Sequence, residues 1–292
     1  MSGVMNRAVE VLAPGPMTLL QDLGRFGHLA VGVGRAGAAD AGSYLLGNRL
    51  LGNASGAAAL EVTMGNLRLR ASGDLLVCLT GAAAPASVDG RPVPRAALVE
   101  VRHGQELSLG MPVAGLRTYV AVRGGFSVPE VLGSVSSDTM SGLGPEPVRA
   151  GQVLPVGDRT EGFPVVDVAG VAEPSTGTVT LDVLPGPRLD WFADPERLAQ
   201  TPWSVSSRSD RKGIRLEGEP LERHAELRDA ELPSEGMVRG AIQVPPNGQP
   251  VVFLNDHPVT GGYPVIGVLR SASVDRAAQL QPGQEVRLRW NL

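Results

Sequence analysis

The sequence predicts a mainly β protein built from two barrel-like modules in tandem with a few short helices. Three observations carry that reading. Gly and Pro are abundant, at 38 and 24 residues, and spread along the whole chain, which favours short strands joined by turns. Apolar residues alternate with polar ones at a period of two in several stretches. A length of 292 residues suits two domains, since single cores stop growing beyond about 250–300 residues.

Taken in order, Leu67 and Leu69 flank Arg68, Val179, Leu181 and Val183 alternate with polar neighbours, and so do Val286, Leu288 and Trp290. The runs DLLVCLTG and PVVFLND read as strands buried on both faces. Asn247-Gly248, inside PPNGQP, signals a hairpin turn. Helical candidates are few: ADAGSYLLGNRLLG with Asp40 as its N-cap, DWFADPERLAQ and VDRAAQL.

An internal echo supports the tandem arrangement. VLAPGP begins at Val11 and VLPGP at Val183, while GQELSL begins at Gly104 and GQEVRL at Gly283. The expected modules are residues 1–165 and 166–292, with the linker within 157–176.

Composition narrows the partners. A net charge of −4 offers no basic footprint for nucleic acid or an anionic membrane. No apolar run approaches the roughly 18–20 residues of a membrane span, and MSGVMNRAVE lacks the apolar segment of a signal peptide. The single cysteine, Cys78, lies in an apolar run and reads as a buried strand residue in a reducing compartment, so a cytoplasmic chain is expected.

GVGRAG spells a dinucleotide fingerprint, with Glu61 about 24 residues on, but the βαβ context that fingerprint needs is missing. A glycine-rich loop with tight turns is the better reading. The chain has no nucleophile elbow, no P-loop and no biotin-acceptor motif, and its four histidines lack metal-ligand spacing. What remains are polar clusters between glycines: Asp22 and Arg25 in QDLGRFG; Ser134, Ser136, Ser137, Asp138 and Thr139 in LGSVSSDTMSGLG; Arg208, Asp210 and Arg211 ahead of Gly213. Hydroxyls and amides so placed suit an anionic group. Ser, Asp and Gly also favour turns for backbone reasons alone, so both readings stand.

In this order the motifs QDLGRFG, GAADAGSYLLGNRLLGN, ALEVTMG, LTGA, YVAVRGGF, VLGSVSSDT, SDRKGIRLEG and DHPVTGGYP resemble the allophanate hydrolase subunit two family. The family is also called KipA-like, biotin-dependent carboxyltransferase and the 5-oxoprolinase C-subunit. The resemblance spans nearly the whole chain and implies two cyclophilin-like β-barrels. It also implies a KipI-like subunit one as partner and a small amide or lactam as substrate. The activity implied is an ATP-dependent opening of 5-oxoproline to glutamate, with ATP and Mg acting at the level of the complex. Carboxyl transfer in a urea carboxylase system, with biotin on a separate carrier, is the alternative, and a non-catalytic antagonist of the KipI-like protein is a third.

Chemistry then suggests roles. Arg211 and Arg25 suit anion clamps, because guanidinium matches carboxylate or phosphate with paired hydrogen bonds. Asp256 or His257 would act as base and Tyr263 or Thr260 as donor, while Gly261 and Gly262 admit close backbone approach. Asp22, Asp40, Ser134, Ser137, Arg208 and Asp210 complete the expected substrate contacts. The chain departs from the family pattern twice. Pro258-Val259 stands where a Gln-Thr pair is usual, and Arg35-Ala36 stands where Pro-Ser is usual.

Overall fold

A computed structural model describes residues 7–291. The chain separates into two compact units, Met1–Arg25, Asp40–Asp138 and Gly142–Pro174 forming one, and Phe26–Ala39, Thr139–Ser141 and Ser175–Leu292 the other. Two short segments, 26–39 and 139–141, therefore belong to the second unit although they interrupt the first in sequence.

In the first unit the strands are β1 (Ala8–Pro14), β2 (Met17–Gln21), β3 (Ala59–Thr63), β4 (Leu67–Ser72), β5 (Leu75–Ala83) and β6 (Ala86–Val88). They continue with β7 (Arg91–Pro92), β8 (Leu98–Val101), β9 (Glu106–Leu109), β10 (Ala114–Val122) and β11 (Val153–Pro155). They form a sheet ordered β11-β1-β4-β9-β6-β7 and another ordered β2-β3-β10-β5-β8. Val11, Leu60, Leu69, Leu79, Val120 and Leu154 are among the buried side chains of their common core.

The helix α1 (Ala41–Leu50) begins at Asp40, whose carboxylate accepts from the Ser43 N–H at 3.0 Å, as its composition predicts. Its packing on β5 and β10 explains why DLLVCLTG is apolar on both faces. Val77 and Leu79 join the core, while Thr80 donates to the Ser43 carbonyl at 2.7 Å. Gly47 makes the close approach possible: a Cβ there would lie 3.3 Å from that of Ala121.

In the second unit β12 (Val179–Pro185), β13 (Trp203–Val205), β14 (Gly213–Glu217), β16 (Ala241–Gln243), β17 (Val251–Phe253), β19 (Val265–Leu269) and β20 (Glu285–Trp290) close into a barrel. The parallel pair of β12 and β20, with Leu181 opposite Leu288, closes the ring. A two-stranded ribbon joins β15 (Glu235–Gly236) to β18 (Thr260–Gly261). Trp203 is fully buried in the barrel core and donates its indole N–H to the Leu198 carbonyl at 2.9 Å.

The helices of this unit are shorter than their sequences suggest. DWFADPERLAQ splits into a 3-10 turn, Leu189–Trp191, and the four-residue α2 (Arg197–Gln200). Pro195 has no N–H to donate and disfavours helical geometry at Asp194, which breaks the run. Of VDRAAQL, only Val274–Ala277 lie in α3 (Ser271–Ala277), which starts three residues earlier. Asn247-Gly248 joins β16 to β17, which pair antiparallel. The connection spans several residues, because the two preceding prolines cannot extend the ladder.

The echo has a physical basis. Gly104 and Gly283 both adopt φ +82, and in each case the following Gln turns its side-chain oxygen back to an N–H three residues earlier. Gly151-Gln152 repeats the device ahead of β11, at φ +81. A left-handed residue suits glycine, and the amide caps the turn. Among the described residues no helix is long and apolar enough to cross a membrane.

Candidate functional site

Within the first unit Asp22 is the hub of a buried loop. It accepts hydrogen bonds from the Gly24 N–H at 2.7 Å, the hydroxyls of Ser134 and Ser136, each at 2.6 Å, and the Val135 N–H at 2.9 Å. Arg25, buried beside it, donates to the carbonyls of Val131 and Ser136. These contacts tie the strand end after β2 to the serine loop, so the cluster works as a brace. Gln21 adds a bond from its amide to the Ser137 carbonyl at 2.9 Å. The Ser137 hydroxyl is buried and meets no hydrogen-bond partner among the described residues.

Asp40 and Glu61 belong to a second buried network in this unit. The Asp40 N–H donates to the Tyr119 hydroxyl, which donates to Glu61, each at 2.8 Å. Arg117 lies 3.5 Å from the other Glu61 oxygen. Glu61 thus anchors Tyr119 at the start of α1, a structural use for the acidic residue that follows GVGRAG.

The second unit holds the densest chemistry. Arg211 and Asp256 form a bidentate pair, Nε to Oδ2 at 2.9 Å and Nη2 to Oδ1 at 3.0 Å, with both side chains buried. Thr139 gives Oδ2 two more donors, its N–H at 2.9 Å and its hydroxyl at 2.7 Å. Burial pushes the Asp256 carboxyl up, but Arg211 and Thr139 together outweigh it and hold the group below the usual carboxylate range. Asp256 is therefore an ionised anchor, with three donors on Oδ2 and one on Oδ1.

His257 follows directly and is 9% exposed, with its ring stacked on Phe253 at 5.7 Å between centroids and 13° between planes. Its Nδ1 lies 2.8 Å from the Pro258 carbonyl oxygen. A carbonyl only accepts, so in a neutral ring Nδ1 carries the proton and Nε2 is the basic nitrogen.

The segment ahead of Asp40 is gripped by the same unit. Asn255 donates through Nδ2 to the carbonyls of Ala36 at 3.1 Å and Ala38 at 2.9 Å. Arg211 donates to Gly37 O at 2.7 Å, and Arg239 to Ala39 O at 2.8 Å. Arg239 also donates to Asn255 Oδ1 and to Asp275, which locks the amide orientation. Ala36 is held at φ +52, unusual for a residue with a Cβ.

The other expected residues lie apart from this centre. Arg208 is exposed and near Glu217, and Asp210 caps its own turn by accepting from Lys212 N–H at 2.8 Å and Gly213 N–H at 3.2 Å. Thr260 is exposed on β18 with Gly261 beside it, and Gly262 and the half-exposed Tyr263 follow. The Tyr263 carbonyl accepts from Gln243 at 3.0 Å. Sequence reasoning missed Arg239 and Asn255, and it named Ser136 and Thr139 in a polar cluster without giving either a role of its own. Asn255 and Thr139 stand beside or inside quoted motifs, whereas nothing local marks Arg239.

The family described as carboxyltransferase domain, subdomain A and B, matches residues 31–290. The chain is 36% identical to the 5-oxoprolinase C-subunit of Escherichia coli, over 95% of this chain and 89% of that protein. It is 30% identical to the urea amidolyase of Saccharomyces cerevisiae, over 96% of this chain but only 16% of that much longer protein. Among solved structures, urea carboxylase of Kluyveromyces lactis superposes with a TM-score of 0.89 at 28% identity, covering 96% of this chain and 27% of that one. This chain belongs to the carboxyltransferase domain A and B family.

Proposed function

We propose that this chain is part of a heteromeric ATP-dependent amide hydrolase that opens 5-oxoproline to glutamate in the cytoplasm, acting with a KipI-like subunit one. The observation that carries the reading is the 36% identity to a 5-oxoprolinase C-subunit, matched along 89% of that protein's length. A second such protein, from Haemophilus influenzae, is 32% identical over 96% of this chain and supports the same choice.

Opening the lactam adds the oxygen of water to the ring carbonyl, breaks the ring C–N bond and releases the nitrogen as an amine. His257 serves as the base: Nε2 takes the proton from the attacking water and passes it to the leaving ring nitrogen, while the Pro258 carbonyl holds the ring in that tautomer. Arg211 and Asp256 act as positioning residues, since their hydrogen bonds to each other and to Gly37 set the loop in place. Tyr263, Thr260, Gly261 and Gly262 follow on the same segment and would contact the substrate, with Arg208 and Asp210 further out. Asp22, Arg25, Asp40, Ser134 and Ser137 would shape the substrate-binding surface of the first unit.

ATP and Mg belong to the complex rather than to this chain. The buried carboxylates Asp22 and Asp256 are filled by internal donors and do not fit a magnesium–nucleotide site. No step here passes through them.

Carboxyl transfer to urea or a related amide, with biotin on a separate carrier, is the second reading. It draws on the likeness to urea carboxylase at a TM-score of 0.89. The deciding experiment mixes the purified chain with its partner subunits and measures ADP release with 5-oxoproline or urea. Release that depends on 5-oxoproline is expected. Release with neither substrate across pH and Mg conditions would overturn the hydrolase reading.

A further inference from the structure

We propose that the backbone N–H groups of Gly37 and Ala38 form an oxyanion site, which receives the carbonyl oxygen of the substrate amide as negative charge develops on it. The idea rests on the amide-hydrolase reading above and deepens it.

The carbonyls of three consecutive residues are each held by a side-chain donor. Ala36 O and Ala38 O converge on a single atom, Asn255 Nδ2, and Gly37 O meets Arg211 Nη2. The described chain contains no cis peptide bond. In a trans peptide the C=O and N–H are antiparallel, so the Gly37 N–H points away from Asn255 Nδ2 and the Ala38 N–H away from Arg211 Nη2. Both residues are buried, and no hydrogen bond among the described residues uses either N–H. Buried amide donors without an acceptor are rare in folded proteins, and such pairs of adjacent amides characteristically take an anion.

The clamp does more than orient. A guanidinium on Gly37 O and an amide on Ala36 O draw electron density from those peptides, so their N–H groups become stronger donors. Arg239, bound to Ala39 O, adds positive field. The strained φ of +52 at Ala36 fits a segment held by surrounding side chains rather than by its own preference. This assigns Arg211 a role different from a substrate clamp: it polarises the peptide that binds the substrate.

Two measurements test the proposal. In the first, the ¹⁵N-labelled full chain is titrated with acetate as a charged-oxygen probe while backbone amides are followed by NMR. Saturable downfield movement of the Gly37 and Ala38 resonances, weakened in Asn255→Ala, is expected. Amides that stay still, or move no more than their neighbours, overturn it. In the second, Ala38→Pro deletes one donor and is assayed in the assembled complex. A kcat lower by about 10²–10³-fold with KM nearly unchanged is expected, the loss seen for a missing oxyanion donor. An unchanged kcat overturns it. If Ala38→Pro does not fold, the titration of the native chain decides. Should the native complex fail to turn over 5-oxoproline while the two amides respond to acetate, the substrate reading falls and the oxyanion site stands.

Discussion

Arg211 and Asp256 meet through two hydrogen bonds of 2.9 and 3.0 Å, with their side chains 2% and 0% exposed. Parallel donors on parallel acceptors, out of water, form a rigid unit whose value lies in geometry more than in net energy. Desolvation offsets much of the attraction in such pairs. A further Arg211 bond, to Gly37, carries that rigidity to the loop.

Asp256→Asn is expected to destabilise the fold strongly, by about 3–5 kcal/mol, because it leaves Arg211 buried without its counter-charge. Urea unfolding measures this directly. The same group gives a pH signature. Its folded pKa lies below the ordinary carboxylate value of about 3.9, so the pairing contributes stability above that pH and loses it as pH falls through the folded value. The urea midpoint of the native chain should fall in that acid range more steeply than that of Asp256→Asn.

His257→Ala should lower kcat in the assembled complex by about 10²–10⁴-fold, the usual contribution of a general base. Stability should fall as well, since the ring is buried and stacks on Phe253, so kcat is read on protein that urea unfolding shows to be folded. A mutant that keeps full kcat would remove His257 from the mechanism.

Tyr119→Phe tests the buried network of Asp40, Tyr119 and Glu61 in the first unit. The hydroxyl joins the Asp40 N–H to Glu61, and its loss leaves both buried groups short of a partner. The expected cost is about 1–3 kcal/mol by calorimetry or urea unfolding. Asp40→Ala, which removes the N-cap of α1, should cost about 1 kcal/mol.

Cys78 should resist alkylation in the folded chain. Burial pushes its thiol up to about 12, so little thiolate exists at neutral pH. Iodoacetamide labelling followed by mass spectrometry should show modification only in denaturant. Rapid labelling of the native chain would contradict the buried position.

Local signals were enough for much of the fold. The alternation at Val179, Leu181 and Val183 became β12, the run around Cys78 became β5, and Asp40 capped α1 as its side chain predicts. These features depend on neighbours a few residues away, where side-chain period and capping chemistry act. Helix ends were less legible, because Pro195 competed with an otherwise helical composition.

The site divides in the same way. The DHP and DRKG motifs marked Asp256, His257 and Arg211 as chemically capable, but only the folded barrel pairs residues 45 positions apart. The sequence by itself determined the mainly β class, the echo of the Gly-Gln turn and the residues able to do chemistry. Tertiary structure decided what each of them meets: Asp256 is engaged by Arg211 and Thr139, whereas the His257 ring meets the Pro258 carbonyl through Nδ1. The physical reason is that hydrogen-bond saturation and burial depend on residues distant in sequence, and no local pattern records how many donors will converge on one carboxylate.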